Sequence, residues 1–144
     1  MANRRTGLAL VAAVAASAAI AAQSTAIPGL DITVTKIERA ASASLKDCPP
    51  GTNTVSAVAK PGEQFALVTV AFKVGSAFTP ATLKGKRPTA LDTADKKYFT
   101  PSYFVDPGSV TDFSCTFPFR VADGTKLKTL NVESASIDLA AMDK

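Results

Sequence analysis

Phe65-Ala66-Leu67-Val68-Thr69-Val70-Ala71-Phe72-Lys73-Val74 is the stretch on which the fold turns. Ala66, Val68, Val70, Phe72 and Val74 occupy every second position, and Thr69 and Lys73 stand between them. Side chains of an extended chain point alternately to the two faces of a sheet, so this spacing marks one apolar and one wetter face. The run predicts a long central strand.

The alternation returns between Asp112 and Arg120. Phe113, Cys115, Phe117 and Phe119 point one way, while Asp112, Ser114, Thr116, Pro118 and Arg120 point the other. Pro118 has no amide to give to a ladder, which predicts a sheet edge or a bulge there. Shorter candidates are Ile32–Ile37, Thr54–Ala59, Thr89–Asp92, Lys97–Phe99, Leu127–Val132 and Ser136–Leu139. Between them lie the turn signals Pro49-Pro50-Gly51, Pro61-Gly62, Pro107-Gly108 and Asp123-Gly124. Ala40 to Ser44 reads as a loop of small residues, and nothing beyond the first two dozen residues has helical periodicity. These features predict an all-β fold, a two-layer antiparallel immunoglobulin-like sandwich of about seven strands. A single small barrel is the alternative.

The N-terminus has a different pattern. Arg4-Arg5 precede an apolar run of small residues from Gly7 to Ala22, too short for a membrane span and shaped like a secretory signal. Residues 1–26 are therefore expected to be a signal peptide, cut after Ala21, Ala22 or Ala26, leaving one sandwich domain over 27–144. The mature chain is expected to be extracytoplasmic, secreted or periplasmic, with no membrane span, and to be a monomer. Losing Arg4 and Arg5 lowers the formal charge from +4 to +2. The cations that still cluster, Lys84, Lys86, Arg87, Lys96 and Lys97, lack the glycine framework and stacking aromatics of nucleic-acid modules. No nucleic-acid partner is expected, and a solvated face is the plainer reading of these charges.

Cys48 and Cys115 are the two cysteines of a chain read as exported, and a disulfide between them is expected. Cys115 stands in a row of phenylalanines that faces the core, so the bridge would tie the Cys48-Pro49-Pro50-Gly51 turn to that strand. A redox pair is the alternative, but the Cys-x-x-Cys spacing is lacking.

The chain has no histidine, which removes the commonest general base and metal ligand at once. Ser102 or Ser109 with Lys96 or Lys97 is the serine-lysine hydrolase alternative. Asp92, Asp95, Asp106, Asp112 and Asp123 lie in or near loops without the spacing of a calcium loop. No enzyme activity, catalytic residue, metal or cofactor is expected.

Tyr98-Phe99-Thr100-Pro101-Ser102-Tyr103-Phe104 holds both tyrosines and two of the eight phenylalanines. Consecutive residues of an extended chain face opposite ways, so each aromatic pair should send one ring inward and one outward. Two readings follow: a segment that caps one end of the core, or a docking patch of Lys96, Lys97, Tyr98, Phe99, Tyr103 and Phe104. The partner of such a patch would be a protein, a glycan or a hydrophobic ligand.

From Gly62 to Val132 the order of features resembles a family of secreted bacterial domains of unknown function with a telokin-like immunoglobulin fold; the mycobacterial secreted immunogenic proteins have a similar sandwich. Gly62-Glu63-Gln64-Phe65 with the strand to Val74 looks like the family's first long strand. Leu91-Asp92-Thr93-Ala94-Asp95-Lys96-Lys97-Tyr98 looks like its hairpin, and Pro107-Gly108-Ser109 with Phe117-Pro118-Phe119-Arg120-Val121 looks like its Pro-Gly turn and aromatic strand. Asp95 departs from the usual turn glycine, Gly75 from an asparagine and Ala122 from a closing proline. The resemblance implies a fold and no catalytic residues. The function expected is a non-enzymatic binding or interaction module, with a structural or stress-tolerance envelope protein as the alternative.

Overall fold

The computed structural model describes residues 21–51, 54–105 and 112–144. Among them are ten strands: β1 (Ala22–Ile27), β2 (Leu30–Ala40), β3 (Ser42–Leu45), β4 (Val55–Val58), β5 (Glu63–Val74), β6 (Thr89–Asp92), β7 (Lys97–Phe99), β8 (Asp112–Ala122), β9 (Leu127–Val132) and β10 (Ala135–Asp138). One 3-10 turn, Pro80–Thr82, lies between β5 and β6. One sheet has the order β1-β2-β5-β8, the other β10-β9-β6-β7, and β3-β4 form a separate ribbon. Every strand pairing is antiparallel. The protein is an all-β sandwich.

β5 is central, as its alternation predicts, with β2 on one side and β8 on the other. Ile32 stands opposite Phe72 and Val34 opposite Val70 on the β2 ladder. On the β8 ladder Val70 faces Cys115 and Leu67 faces Pro118, in unbroken register. Pro118 thus meets its steric requirement by sitting on an edge strand, without a bulge in that ladder. The inward rows of both sheets merge into one buried cluster, including Ile32, Val70, Phe72 and Phe117 from the first and Leu130, Val132 and Ile137 from the second. Removing each such side chain from water stabilises the fold by about 1.5–3 kcal/mol.

The two layers hold four strands each, against about seven in all expected, with the β3-β4 ribbon beside them. One expectation needs correction: Ala40 to Ser44 is not a loop, since Ser42–Leu45 is β3, paired with β4. Small residues suit this position because β3 lies against the outer face of β5 and β8, where Ala43 is buried and larger side chains would hold the ribbon away. β1 also begins within the stretch read as a leader. It pairs with β2, and Ile27 enters the core. Residues 1–20, the turn at Pro107-Gly108, Asp106 and Ser109 lie outside the described residues.

Gly29 closes the β1–β2 turn at φ +71°, and a Cβ there would come within 2.3 Å of the Phe78 amide nitrogen. At the opposite end of β2, Arg39 Nη2 donates to the Thr125 carbonyl at 2.8 Å and to Asp143 Oδ2 at 2.6 Å, joining the two sheets through a half-buried ion pair.

Candidate aromatic and cationic surface

The β6–β7 hairpin places the aromatic segment. Thr89 pairs with Phe99, Ala90 with Tyr98 and Leu91 with Lys97. Its turn is built by Asp92: one carboxylate oxygen accepts from the Ala94 and Lys96 amides at 2.8 and 2.9 Å, and the other accepts from the Tyr98 hydroxyl at 2.8 Å. Asp95 has φ +63°, which explains why a glycine would be at home there; aspartate is one of the few other residues that enter this region readily. The loop aspartates 92 and 95 thus have structural partners, Asp95 through Lys128 Nζ at 2.8 Å. Among the described residues no three His, Cys, Asp or Glu side chains converge on one point.

The Lys96 amide, with the Tyr98 hydroxyl and Ala94 amide, holds the Asp92 carboxyl below the usual carboxylate range against the opposing effect of burial. Burial first, and then Asp92, push the Tyr98 phenol above its ordinary value. The signs are opposite. Stability from Asp92 is present above the unfolded carboxylate value of about 3.9 and is lost as pH falls through the lower folded value. Stability from Tyr98 is present below about pH 10 and is lost as pH rises towards the higher folded value. Urea midpoints measured against pH should fall at both ends for the wild type. In Asp92→Asn the acid limb should flatten, and an unchanged acid limb would refute this role for Asp92.

The two aromatic pairs divide as strand geometry requires. Tyr98 and Phe104 are buried, whereas Phe99 is 66% and Tyr103 38% exposed. Phe104 meets Phe72 and Phe117 edge-on, each with ring centroids 5.6 Å apart. Its backbone is laced on both sides. The Phe104 amide donates to Lys86 O, and the Gly85 amide to Phe104 O. On the other flank the Cys48 amide donates to Tyr103 O and the Val105 amide to Cys48 O. Cys48 is in turn bonded to Cys115 of β8, with Cα atoms 5.6 Å apart, so the expected disulfide fastens this strap over the end of the core.

Of the six patch candidates, Lys96, Lys97, Phe99 and Tyr103 are at the surface, while Tyr98 and Phe104 belong to the core. Lys97 Nζ lies 5.8 Å from the Phe99 ring centroid, and Arg87 Cζ lies 5.8 Å from that of Tyr103, within cation–π range. Lys96 Nζ stands 5.3 Å from the Tyr98 ring. Lys96 and Lys97 adjoin the aromatic segment in sequence, and the fold adds Arg87 beside Tyr103, a juxtaposition that sequence order did not disclose.

Beside Phe99 runs a groove of about 320 Å³ lined by Leu45, Ala57, Phe65, Pro101, Pro118 and Arg120. Phe65 and Pro118 stand at outward positions of β5 and β8 and are nonetheless buried, because the ribbon covers them and the Arg120 guanidinium lies 4.7 Å above the Phe65 ring. Ser102 is 2% exposed, and its Oγ has no hydrogen-bond partner among the described residues. Neither Lys96 nor Lys97 is therefore in place to activate it.

No family model, characterised protein or solved structure matches this chain. The functional reading rests on the geometry of this surface.

Proposed function

We propose that the protein is an extracytoplasmic, non-enzymatic binding module that contacts its partner through the β7 end of the sandwich. The observation that carries this reading is the pairing of two outward aromatic rings, Phe99 and Tyr103, with Lys97 and Arg87. An exposed ring in water gains by contact, and a cation beside it adds directional attraction for an acidic or polarised partner. The resemblance to secreted immunoglobulin-like domains supports the same reading. So does the disulfide, which belongs with an oxidising compartment. Among the described residues no helix is long and apolar enough to cross a membrane. Removal of a leader after Ala21 would leave β1 whole, whereas a cut after Ala26 would take away most of the strand that pairs with β2.

The partner class is a protein, a glycan or a hydrophobic ligand. The second reading, a structural or stress-tolerance envelope protein without a dedicated ligand, draws on the burial of Tyr98 and Phe104. Phe99→Ser/Tyr103→Ser separates the two. The double variant should keep the wild-type free energy of unfolding in urea to within about 0.5 kcal/mol, because both rings lie outside the core. It should also lose retention on solubilised cell-envelope material by tenfold or more. Undiminished retention by a folded double variant would refute the binding reading.

A further inference from the structure

The charge of the chain is unevenly placed. Residues 84–97 hold five Lys or Arg against two Asp, whereas the rest of the chain beyond Ala21 holds nine against ten. Both acids of the basic stretch are already engaged: Asp92 by two amides and the Tyr98 hydroxyl, Asp95 by Lys128. Lys84, Lys86, Arg87, Lys96 and Lys97 are all exposed. Among the described residues these cations thus lie along one edge of the second sheet, on the two antiparallel segments that the Thr89/Phe99 pair and the Lys86–Phe104 hydrogen bond hold side by side.

The outward face of that edge carries Arg87, Thr89 and Leu91 on one segment and Lys97 and Phe99 on the other, with Tyr103 against Arg87. The neighbouring outward residues of β9, Thr129 and Asn131, are uncharged; Asp138 lies on β10 at the far edge, and Lys128, which lines a groove with Thr129 and Asp138, is paired with Asp95. A face of cations around two protruding rings is complementary to a layer of anionic headgroups over hydrocarbon. The cations gain from the negative surface potential, and aromatic rings are favoured at the boundary between headgroups and acyl chains. Both rings stand on the outward side of the sheet, Tyr103 beside Arg87, and Phe99, 66% exposed, at the rim of the groove it lines with Leu45, Ala57 and Pro118, so both can meet an extended surface.

We infer that the β6–β7 edge docks this protein on an anionic phospholipid surface through Arg87, Lys97, Phe99 and Tyr103, with exposed Lys96 adding charge from the hairpin turn. The inference rests on the binding-surface reading above and names its partner.

The test is flotation of the mature, disulfide-bonded protein with vesicles of phosphatidylcholine alone, or with about one third phosphatidylglycerol, an anionic fraction at which surface attraction per cation is appreciable. Binding is expected on the anionic vesicles only, and high salt should suppress it. Lys96→Gln/Lys97→Gln should weaken partitioning roughly tenfold or more, and Phe99→Ser roughly fivefold, since attraction adds per charge and with buried apolar area. Lys60→Gln/Lys73→Gln, an equal charge loss elsewhere, should change it less than twofold. No binding, equal binding to neutral vesicles, or equal effects of the two lysine pairs would each overturn the inference. Tighter binding of a single-stranded oligonucleotide or of polyglutamate would overturn it in favour of that polyanion. Failure on vesicles with ring-dependent retention on envelope material intact would leave the binding-surface reading standing; loss of that ring dependence would remove both.

Discussion

Phe104→Ala should lower the free energy of unfolding by about 3–5 kcal/mol, the range for removing a fully buried ring from a core that relaxes only in part. Phe104 is 2% exposed, and its ring fills the space between Phe72 of β5 and Phe117 of β8. The substitution leaves two aromatic edges facing a void, and it loosens a strap whose main chain is bonded to Lys86 and to Cys48. Small domains are stable by only about 5–15 kcal/mol, so the variant is expected near the limit of folding at 37 °C. Urea titration followed by far-ultraviolet circular dichroism measures the difference. Phe99→Ala, five residues away, should cost less than about 0.5 kcal/mol, because its ring is in solvent. Equal losses at the two positions would contradict the division of the aromatic segment into a core half and a surface half.

That division was legible in the sequence because it follows from strand geometry alone: neighbours in an extended chain face opposite ways. β5 and β8 were legible for the same reason, with bulky apolar residues at alternate positions, and β2, β4, β6, β7, β9 and β10 each overlap a shorter candidate set off by turn signals. β3 was not. Ser42-Ala43-Ser44-Leu45 has a single large side chain, so its alternation is invisible until the outer face of β5 and β8 is known to need a thin covering. β1 was masked by its neighbourhood, since Ala22 to Ile27 continues a run of small and apolar residues already read as leader. The groove was beyond reach for a further reason. Phe65 and Pro118 stand at outward positions, and only the tertiary placement of the ribbon buries them. Alternation gives the direction of a side chain and not what another element lays over it. The proximity of Arg87 to Tyr103 is likewise tertiary, produced by Gly85 and Lys86 bonding to Phe104 across a gap of eighteen or more residues.

Reduction of Cys48–Cys115, or its replacement by two alanines, should cost about 4 kcal/mol: the bond closes a loop of 67 residues, and opening a loop of that length returns that much chain entropy to the unfolded state. The loss is expected as a lower urea midpoint on adding reductant, with thiol titration confirming two free sulfhydryls. An unchanged midpoint in fully reduced protein would mean that the crosslink carries no stability. The bond also has a local effect that the loop-entropy argument leaves out. Cys48 is wholly buried and donates and accepts the hydrogen bonds that flank Phe104, so its release frees one rail of the strap over the end of the core. The two changes should therefore not add. Residues that share a packing unit couple by roughly 0.5–3 kcal/mol, and a cycle of Phe104→Ala with Cys48→Ala/Cys115→Ala should fall short of the sum by an amount in that range. The same coupling reaches the surface. Tyr103 gives its carbonyl to the Cys48 amide, so the reduced protein should hold Tyr103 less firmly beside Arg87, while Phe99, fixed by its pairing with Thr89, stays in place. Heteronuclear relaxation comparing the amides of residues 99 and 103 with and without reductant measures this directly, and equal loosening at both would break the link between the crosslink and the exposed ring.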